Sequence, residues 1–367
     1  MQVILVLGRF GIDNMSDLSF YKDKKVLITG HTGFKGAWLT RILVNAKAKV
    51  LGYSLEAPTN PNLFSLAKVE DKIIHIIGDI RDYNHLKSVF DEFKPEIVIH
   101  LAAQPIVRES YKNPLYTYET NVMGTANICE CVRLTSSVKS FLNVTTDKVY
   151  LNDDLPDHAF KETEPLDGYD PYSNSKSCSE LVTHSYKKSF FKDKDVSVST
   201  ARAGNVIGGG DFAPDRIIPD CIRAIEGKRD IIVRNPFSTR PYQHVLEPLY
   251  IYLTICQMQY GNKDFEGYYN VGPDDCDCVS TGDLVTLFCN TWGNGIRWVN
   301  KYDGGPHEAA FLKLDNWKIK DVFGWRPRWH IDECVKKIVE FSKVYFENKD
   351  NIPEEMDKEI KEFFKVK

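Results

Sequence analysis

The stretch Lys25-Val26-Leu27-Ile28-Thr29-Gly30-His31-Thr32-Gly33-Phe34-Lys35-Gly36-Ala37-Trp38-Leu39 limits the folds open to this chain more than any other. A β-branched apolar run stops at the first of three glycines, each separated from the next by two residues, and an apolar helical pattern follows. The order is strand, tight turn, helix. Glycine lets a backbone turn sharply and come close to a pyrophosphate, and the first turn of the helix offers unpaired N–H groups and the positive end of a dipole. The spacing is G-x-x-G-x-x-G, not G-x-G-x-x-G, so the turn predicts nucleotide binding through its position between strand and helix rather than through a literal motif.

The rest of the first half repeats the strand–helix alternation. Strands are predicted over 49–54, 73–79, 97–103, 140–145 and 196–201, with helices over 34–46, 83–93, 121–134 and 172–191. Continuous apolar strands alternating with helices mark a parallel sheet covered on both faces. Beyond Asn205 the pattern becomes shorter, more mixed and more aromatic. The expected fold is therefore α/β: a Rossmann-type doubly wound parallel sheet with a smaller mixed α/β substrate-binding domain on the C-terminal side. The expected division is an N-terminal arm over 1–22 and a nucleotide-binding domain over 23–205, to which 236–262 returns. A substrate domain over 206–345 and a charged helix over 346–367 follow. Val3 to Gly11 imitates a strand and glycine turn, but no helical pattern follows it. It reads as a decoy, with residues 1–14 a loose arm and Met15 an alternative start.

Composition excludes several classes. A formal charge of −4 lacks the basic excess of a nucleic-acid or membrane-surface binder. No run is long enough to cross a bilayer. The nine cysteines are scattered, and the close pairs Cys129/Cys131 and Cys276/Cys278 have one intervening residue, a poor spacing for zinc. No metal is expected, and reduced thiols in a cytoplasmic protein are.

The chemistry-bearing stretch is Tyr172-Ser173-Asn174-Ser175-Lys176, which sets a phenol and an ammonium one helical turn apart. A phenol with an ordinary pKa of about 10 needs help to accept a proton, and a nearby positive charge favours the phenolate. On its own, Y-x-x-x-K is more often a surface pair. Here it opens the helix after the fifth strand, whose end carries Thr145-Thr146-Asp147-Lys148, and the carboxyl ends of such strands are where ligands bind.

Together the glycine turn, the strand-five hydroxyl and Y-x-x-x-K resemble the extended short-chain dehydrogenase/reductase family. More narrowly, residues 20–345 resemble its sugar-nucleotide 4,6-dehydratases, in particular the branch acting on cytidine diphosphate glucose. The resemblance rests on "GHTGFKGAWL", "PTNPNLF", "GDIRD", "HLAAQPIVRESYKNP", "TNVMGTAN", "TTDKVY", "GYDPYSNSK", "ARAGNVIGGGDFAPDRIIPD", "RNPFSTRPYQHVLEPL", "NVGPDD" and "PHEAAFLKLD". Three departures stand out. Tyr242 replaces an expected tryptophan, Val149 replaces a cysteine, and "LNDDLPDHAF" over 151–160 replaces a tryptophan-containing stretch.

The resemblance implies an NAD-holding lyase of deoxysugar and O-antigen polysaccharide biosynthesis. Tyr172, Lys176 and Thr146 would serve oxidation at carbon 4 of the sugar. Elimination of water needs two further groups: Asp147 as acid and Lys148 as base, each in the protonation state opposite to the one it has in water. NAD would be held by Gly30, Thr32, Gly33, Phe34, Lys35 and Gly36, by Ser54, Asp79 and Ile80, and by Leu101, Ala102, Ala103 and Gln104. Asn121, Thr145, Tyr172, Lys176 and Ala203 complete that set. Ser54 stands where an acid often holds the adenosine ribose; no arginine is near for a 2′-phosphate, although Lys35 leans the other way. The substrate would meet Gln104, Asn205, Arg216, Arg234, Arg240 and His307, arginine being suited to a diphosphate. His244, His307 and Glu308 form no metal pattern. The family pairing mode implies a homodimer built by the helices over 121–134 and 172–191, through Val122, Ala126, Leu181 and Val182, with a dimer of dimers as the larger form. Two other readings stay open: a sugar-nucleotide epimerase, decarboxylase or dehydratase acting on another nucleotide, and a non-catalytic NAD-binding regulator.

Overall fold

The computed structural model describes residues 18–155, 157–302, 304–305 and 311–365. The decoy segment 3–11 and the site candidates His307 and Glu308 lie outside the described residues. Seven parallel strands form the central sheet: β1 (Lys25–Thr29), β2 (Lys49–Ser54), β3 (Ile74–Ile77), β4 (Ile97–His100), β5 (Ser140–Thr146), β6 (Ser197–Ala203) and β7 (Tyr268–Val271). Their spatial order is β7-β6-β5-β4-β1-β2-β3. The order reverses between β1 and β4, and the crevice outside the strand ends at such a reversal is where ligands sit. Tyr268–Val271, within the range expected for the substrate domain, pairs with β6 and forms an edge of the sheet.

The sheet is apolar on both faces because successive side chains point opposite ways. Val26, Ile28 and Val50 enter one core; Leu27 and Leu51 enter the other. The first core is closed by α1 (Phe34–Asn45), then by α6 (Leu246–Met258), α8 (Ile331–Glu347) and α9 (Ile352–Lys365). The second is closed by α2 (Tyr83–Phe93) and α3 (Gly124–Leu134), with Phe191 beyond the end of α4 (Pro171–Tyr186). Between β6 and α8 lie the covering helices α5 (Ile217–Glu226) and α7 (Thr281–Trp292). Ser280 caps α7 by accepting from the Asp283 amide at 3.0 Å.

Two sequence expectations are refined. The helices over 121–134 and 172–191 each contain a π-helical turn, Glu119–Met123 ahead of α3 and Lys187–Phe191 after α4, so neither is one continuous α-helix. The C-terminal helix is more than a solvated face: Ile352, Met356, Ile360 and Phe363 are buried in the core under α1 and α8. The departing segment near 151–160 ends in a two-residue strand, Ala159–Phe160, which pairs with Lys313–Leu314. Val149 packs there with Tyr150, Phe160, Leu312 and Leu314.

Behind the sheet, α4 and β6 share a buried ion pair. Glu180 accepts from Arg202 Nη2 at 2.9 Å, Thr145 Oγ1 at 2.5 Å and Thr200 Oγ1 at 2.8 Å. Burial alone would raise its carboxyl, but the charge of Arg202 and the hydrogen bonds outweigh it and hold the pKa well below the usual carboxylate range. Arg202 also donates to Tyr150 Oη at 2.8 Å. Removing one partner strands the other charge. Glu180→Ala is expected to cost about 3–5 kcal/mol, read as a fall in the urea midpoint; an unchanged midpoint would mean the pair contributes nothing.

Candidate active site

The glycine turn builds the cofactor end. Gly30 takes φ +76°, and a Cβ on it would lie 2.8 Å from the Ala102 amide nitrogen. A Cβ on Gly36 would lie 2.1 Å from the Gly30 carbonyl oxygen, so only hydrogen lets α1 pack this close to β1. Gly33 differs: its Cβ would meet only that same oxygen at 3.4 Å, and no side chain caps the helix it starts. The first amides of α1 thus face an open cradle. Gly36→Ala must displace backbone and is expected to cost about 1–3 kcal/mol by thermal unfolding, whereas Gly33→Ala should cost far less. Equal costs would contradict this division of labour.

At the ends of β1–β3, Ser54 Oγ lies 2.9 Å from Thr32 Oγ1 and 3.1 Å from His31 Nδ1. His31 contacts His75 at 2.6 Å, and burial, with His75 beside it, drops its pKa to about 3. Asp79 is held by the Arg81 guanidinium, with Nη2 at 2.6 Å, and Ile80 is buried behind it. Leu101, Ala102 and Ala103 follow β4 half-buried, and Phe34 is half-buried at the start of α1.

The second half of the site is a cavity of about 600 Å³ at the carboxyl ends of β5 and β6. Lys35, Thr145, Thr146, Asp147, Lys148, Tyr172, Ala203, Asn205, Arg216, Arg234 and Arg240 all line it. Six basic side chains, with Arg108 among them, face four acidic ones, so the wall suits an anionic ligand. Gly30, Thr32, Gly33, Gly36, Ser54, Asp79, Ile80, Gln104, Asn121 and Lys176 stand outside the lining.

Asp147 is 1 % exposed. Its Oδ1 accepts from Thr146 Oγ1 at 2.9 Å and lies 3.5 Å from Lys148 Nζ. Its Oδ2 is buried against Gly204 without a hydrogen-bond partner among the described residues. A buried carboxylate oxygen left unpaired is costly, and a hydroxyl arriving in the cavity would satisfy it. Lys148 Nζ also reaches Asn205 Oδ1 at 3.5 Å. Arg216 is paired with Asp211 at 3.0 Å and Arg234 with Asp215 at 2.6 Å. Arg240 donates to the Thr239 carbonyl at 2.9 Å. Tyr242 lines the cavity, its hydroxyl 3.0 Å from Thr281 Oγ1.

Burial pushes Tyr172 up to about 12, and Asp147 adds to the rise; the Thr146 hydrogen bond and the charge of Arg216 oppose it. Lys176, one turn on, donates to the Val144 carbonyl at 3.2 Å, and burial brings it down to about 8. Lys35 falls to about 7, through burial and then the charges of Arg216 and Lys176. The charge of Arg216 is one that favours a Tyr172 phenolate here.

Gln104 and Asn121 form a buried clamp. The Gln104 amide donates to Asn121 Oδ1 at 2.8 Å, Asn121 Nδ2 donates to Ser175 Oγ at 2.9 Å, and Gln104 Nε2 donates to Thr117 Oγ1 at 2.9 Å. These amides fix the loop after β4 and the start of α4. His244 is fully buried against Glu359 of α9, with Nε2 to Oε2 at 3.5 Å. Sequence reasoning missed Asp211, Asp215, Asn235, Thr281 and Tyr302 on the cavity wall. For Asp211, the loop Gly208-Gly209-Gly210-Asp211 was the available signal.

The chain belongs to the GDP-mannose 4,6-dehydratase family, whose model matches residues 27–338. Among its relatives, CDP-glucose 4,6-dehydratase of Salmonella typhimurium is 46% identical over 343 residues, covering 92% of this chain and 95% of that one. The human dTDP-D-glucose 4,6-dehydratase is 26% identical, covering 91% and 94%. Of solved structures, dTDP-glucose 4,6-dehydratase from Bacillus anthracis in complex with NAD has a TM-score of 0.72 at 20% identity, covering 89% and 98%. UDP-glucose 4-epimerase from Thermotoga maritima with UDP-glucose has a TM-score of 0.75 at 20% identity, covering 88% and 99%. These two share the fold.

Proposed function

We propose that the protein is an NAD-dependent CDP-glucose 4,6-dehydratase, a hydro-lyase converting CDP-glucose to CDP-4-keto-6-deoxyglucose and water. One observation carries the reading: Asp147 and Lys148 lie in contact beside Thr146 and Tyr172 on one cavity wall, with an oxygen of Asp147 left unpaired. An epimerase of this fold needs the phenol but no acid–base pair for elimination. The relative at 46% identity supports the cytidine nucleotide.

The residues fit NAD. The uncapped start of α1 and the cradle at Gly33 suit a pyrophosphate, and Ser54 with Thr32 suits a ribose. Asp79 and Ile80 would flank the adenine, with Leu101, Ala102 and Ala103 along the cleft. NAD supplies a hydride acceptor at carbon 4 and a donor to carbon 6. Tyr172 Oη takes the proton of the 4-hydroxyl, and Thr146 orients that hydroxyl. The ketone so formed acidifies the hydrogen on carbon 5. Lys148, as the free amine, removes it, and Asp147, as the carboxylic acid, protonates the departing 6-oxygen, which leaves as water. A solvent-derived proton then returns to carbon 5. Arg216, Arg234 and Arg240 hold the diphosphate side of the substrate, with Arg216 and Arg234 exchanging carboxylate partners for phosphate. His307 stays assigned to the substrate by resemblance alone.

The test is a panel of CDP-, dTDP-, UDP- and GDP-glucose offered to purified protein with NAD. The reading requires 4-keto-6-deoxy product from CDP-glucose in preference to the others. Preference for another nucleotide would reassign the base, and 4-epimer without loss of water would replace the reaction.

The same reading makes the protein a homodimer, joined through the helical faces at α3 and α4. Leu181 is 52% exposed and Met123 55%, while Val122, Ala126 and Val182 are half-buried beside them. An apolar strip of this kind on neighbouring helices invites a second copy. Sedimentation is expected to give a dimer at micromolar concentration; a monomer there would rule it out. We assign the reaction to the cytoplasm, which suits nine unpaired cysteines. Among the described residues no helix is long and apolar enough to cross a membrane.

A further inference from the structure

Away from the cavity, the loop before Cys278 meets the start of α8, and there the fold assembles donors that the sequence separates. Cys276, Asp277 and His330 bring Sγ, a carboxylate oxygen and an imidazole nitrogen all within 4.8 Å of one another. Cys276 Sγ lies 3.7 Å from His330 Nδ1, and Asp277 Oδ2 lies 2.9 Å from the same nitrogen. The close pair Cys276/Cys278 argued against zinc by its spacing, but the imidazole arrives from 54 residues away.

We propose that Cys276, Asp277 and His330 form a site for a borderline-soft divalent cation of the Zn²⁺ or Co²⁺ kind. Tetrahedral zinc with Zn–N of about 2.0–2.1 Å and Zn–S of about 2.3 Å sets its nitrogen and sulphur ligands about 3.6 Å apart. The observed 3.7 Å separation already matches that edge. The nitrogen–oxygen edge, at 2.9 Å, must open toward about 3.4 Å. His330 can supply that movement, since its side chain is 55% exposed. Asp277 is the fixed member: it is buried, and its Oδ1 is held by the Ile331 amide at 2.8 Å, which turns Oδ2 toward the other two ligands. The cation takes the place of the proton shared by Nδ1 and Oδ2. A thiolate, a carboxylate and a neutral imidazole then balance a double positive charge, and the fourth position opens to solvent. The ion clamps the loop that leads into Cys278–Ser280, which pairs with the Thr239–Pro241 strand carrying Arg240, to the start of α8.

The test is titration of untagged, chelator-stripped full-length protein with Co²⁺, followed by displacement with Zn²⁺. One equivalent of Co²⁺ is expected, with the d–d bands of a tetrahedral centre and a near-ultraviolet thiolate-to-cobalt band that Zn²⁺ abolishes. Cys276→Ser alters an exposed side chain, so the protein should fold; it should lose the thiolate band and bind at least tenfold more weakly. His330→Gln should weaken binding similarly. Zn²⁺ should raise the thermal midpoint of the wild type and, at the same concentration, raise that of Cys276→Ser by less. Absence of the thiolate band at saturating Co²⁺, or equal affinity in Cys276→Ser, would overturn the assignment.

Discussion

Tyr172→Phe should lower turnover by about a thousandfold or more while leaving the fold and cofactor binding intact, because a positioned proton acceptor contributes about 10²–10⁴-fold and this one must both take and return a proton. The phenol sits in the first turn of α4, buried in the cavity wall beside Asp147 and within reach of Thr146. With its pKa raised to about 12 it is a poor base in the free protein. The Thr146 hydrogen bond and the charge of Arg216 oppose that rise without cancelling it. Only one oxygen is removed, and the ring stays to fill its place. The variant should match wild type in unfolding midpoint and in NAD retention. Activity above about a tenth of wild type would be too much for a residue with this role.

Much of the site was legible because its parts are local. A strand, a glycine turn and a helix follow one another in the chain, and Tyr172 and Lys176 are one helical turn apart. Thr145 to Lys148 simply continue β5. Where the reading fell short, tertiary context had intervened. Spacing alone set Lys176 beside the Tyr172 phenol; the fold adds a hydrogen bond from its ammonium to the Val144 carbonyl and brings in Arg216, forty-four positions on, as a further charge favouring the phenolate. Gln104, expected to meet cofactor and substrate, also sets its backbone amide on Asn121 and its side-chain amide on Thr117, an arrangement that depends on three separate elements meeting. The carboxylates that partner Arg216 and Arg234 sit in a loop without periodicity, where pattern reading has nothing to grip. In the fold, the charged helix expected over 346–367 showed its charge but hid a buried stripe, because Ile352, Met356, Ile360 and Phe363 recur at helical spacing among lysines and glutamates.

The elimination chemistry is the centre of the account, and Lys148→Met with CDP-glucose in deuterated water tests it most directly. Oxidation at carbon 4 draws on Tyr172, Lys176 and Thr146, none of which this change touches; removal of the carbon 5 hydrogen draws on Lys148. Methionine keeps the length and packing of the stem and deletes the amine. In this variant reduced cofactor is expected to accumulate with a 4-keto-glucose nucleotide retained beside it, no deuterium to enter carbon 5, and dehydrated product to fall by at least a hundredfold. Formation of 4-keto-6-deoxy product at near wild-type rate, with deuterium at carbon 5, would contradict it and make Lys148 a structural partner of Asp147.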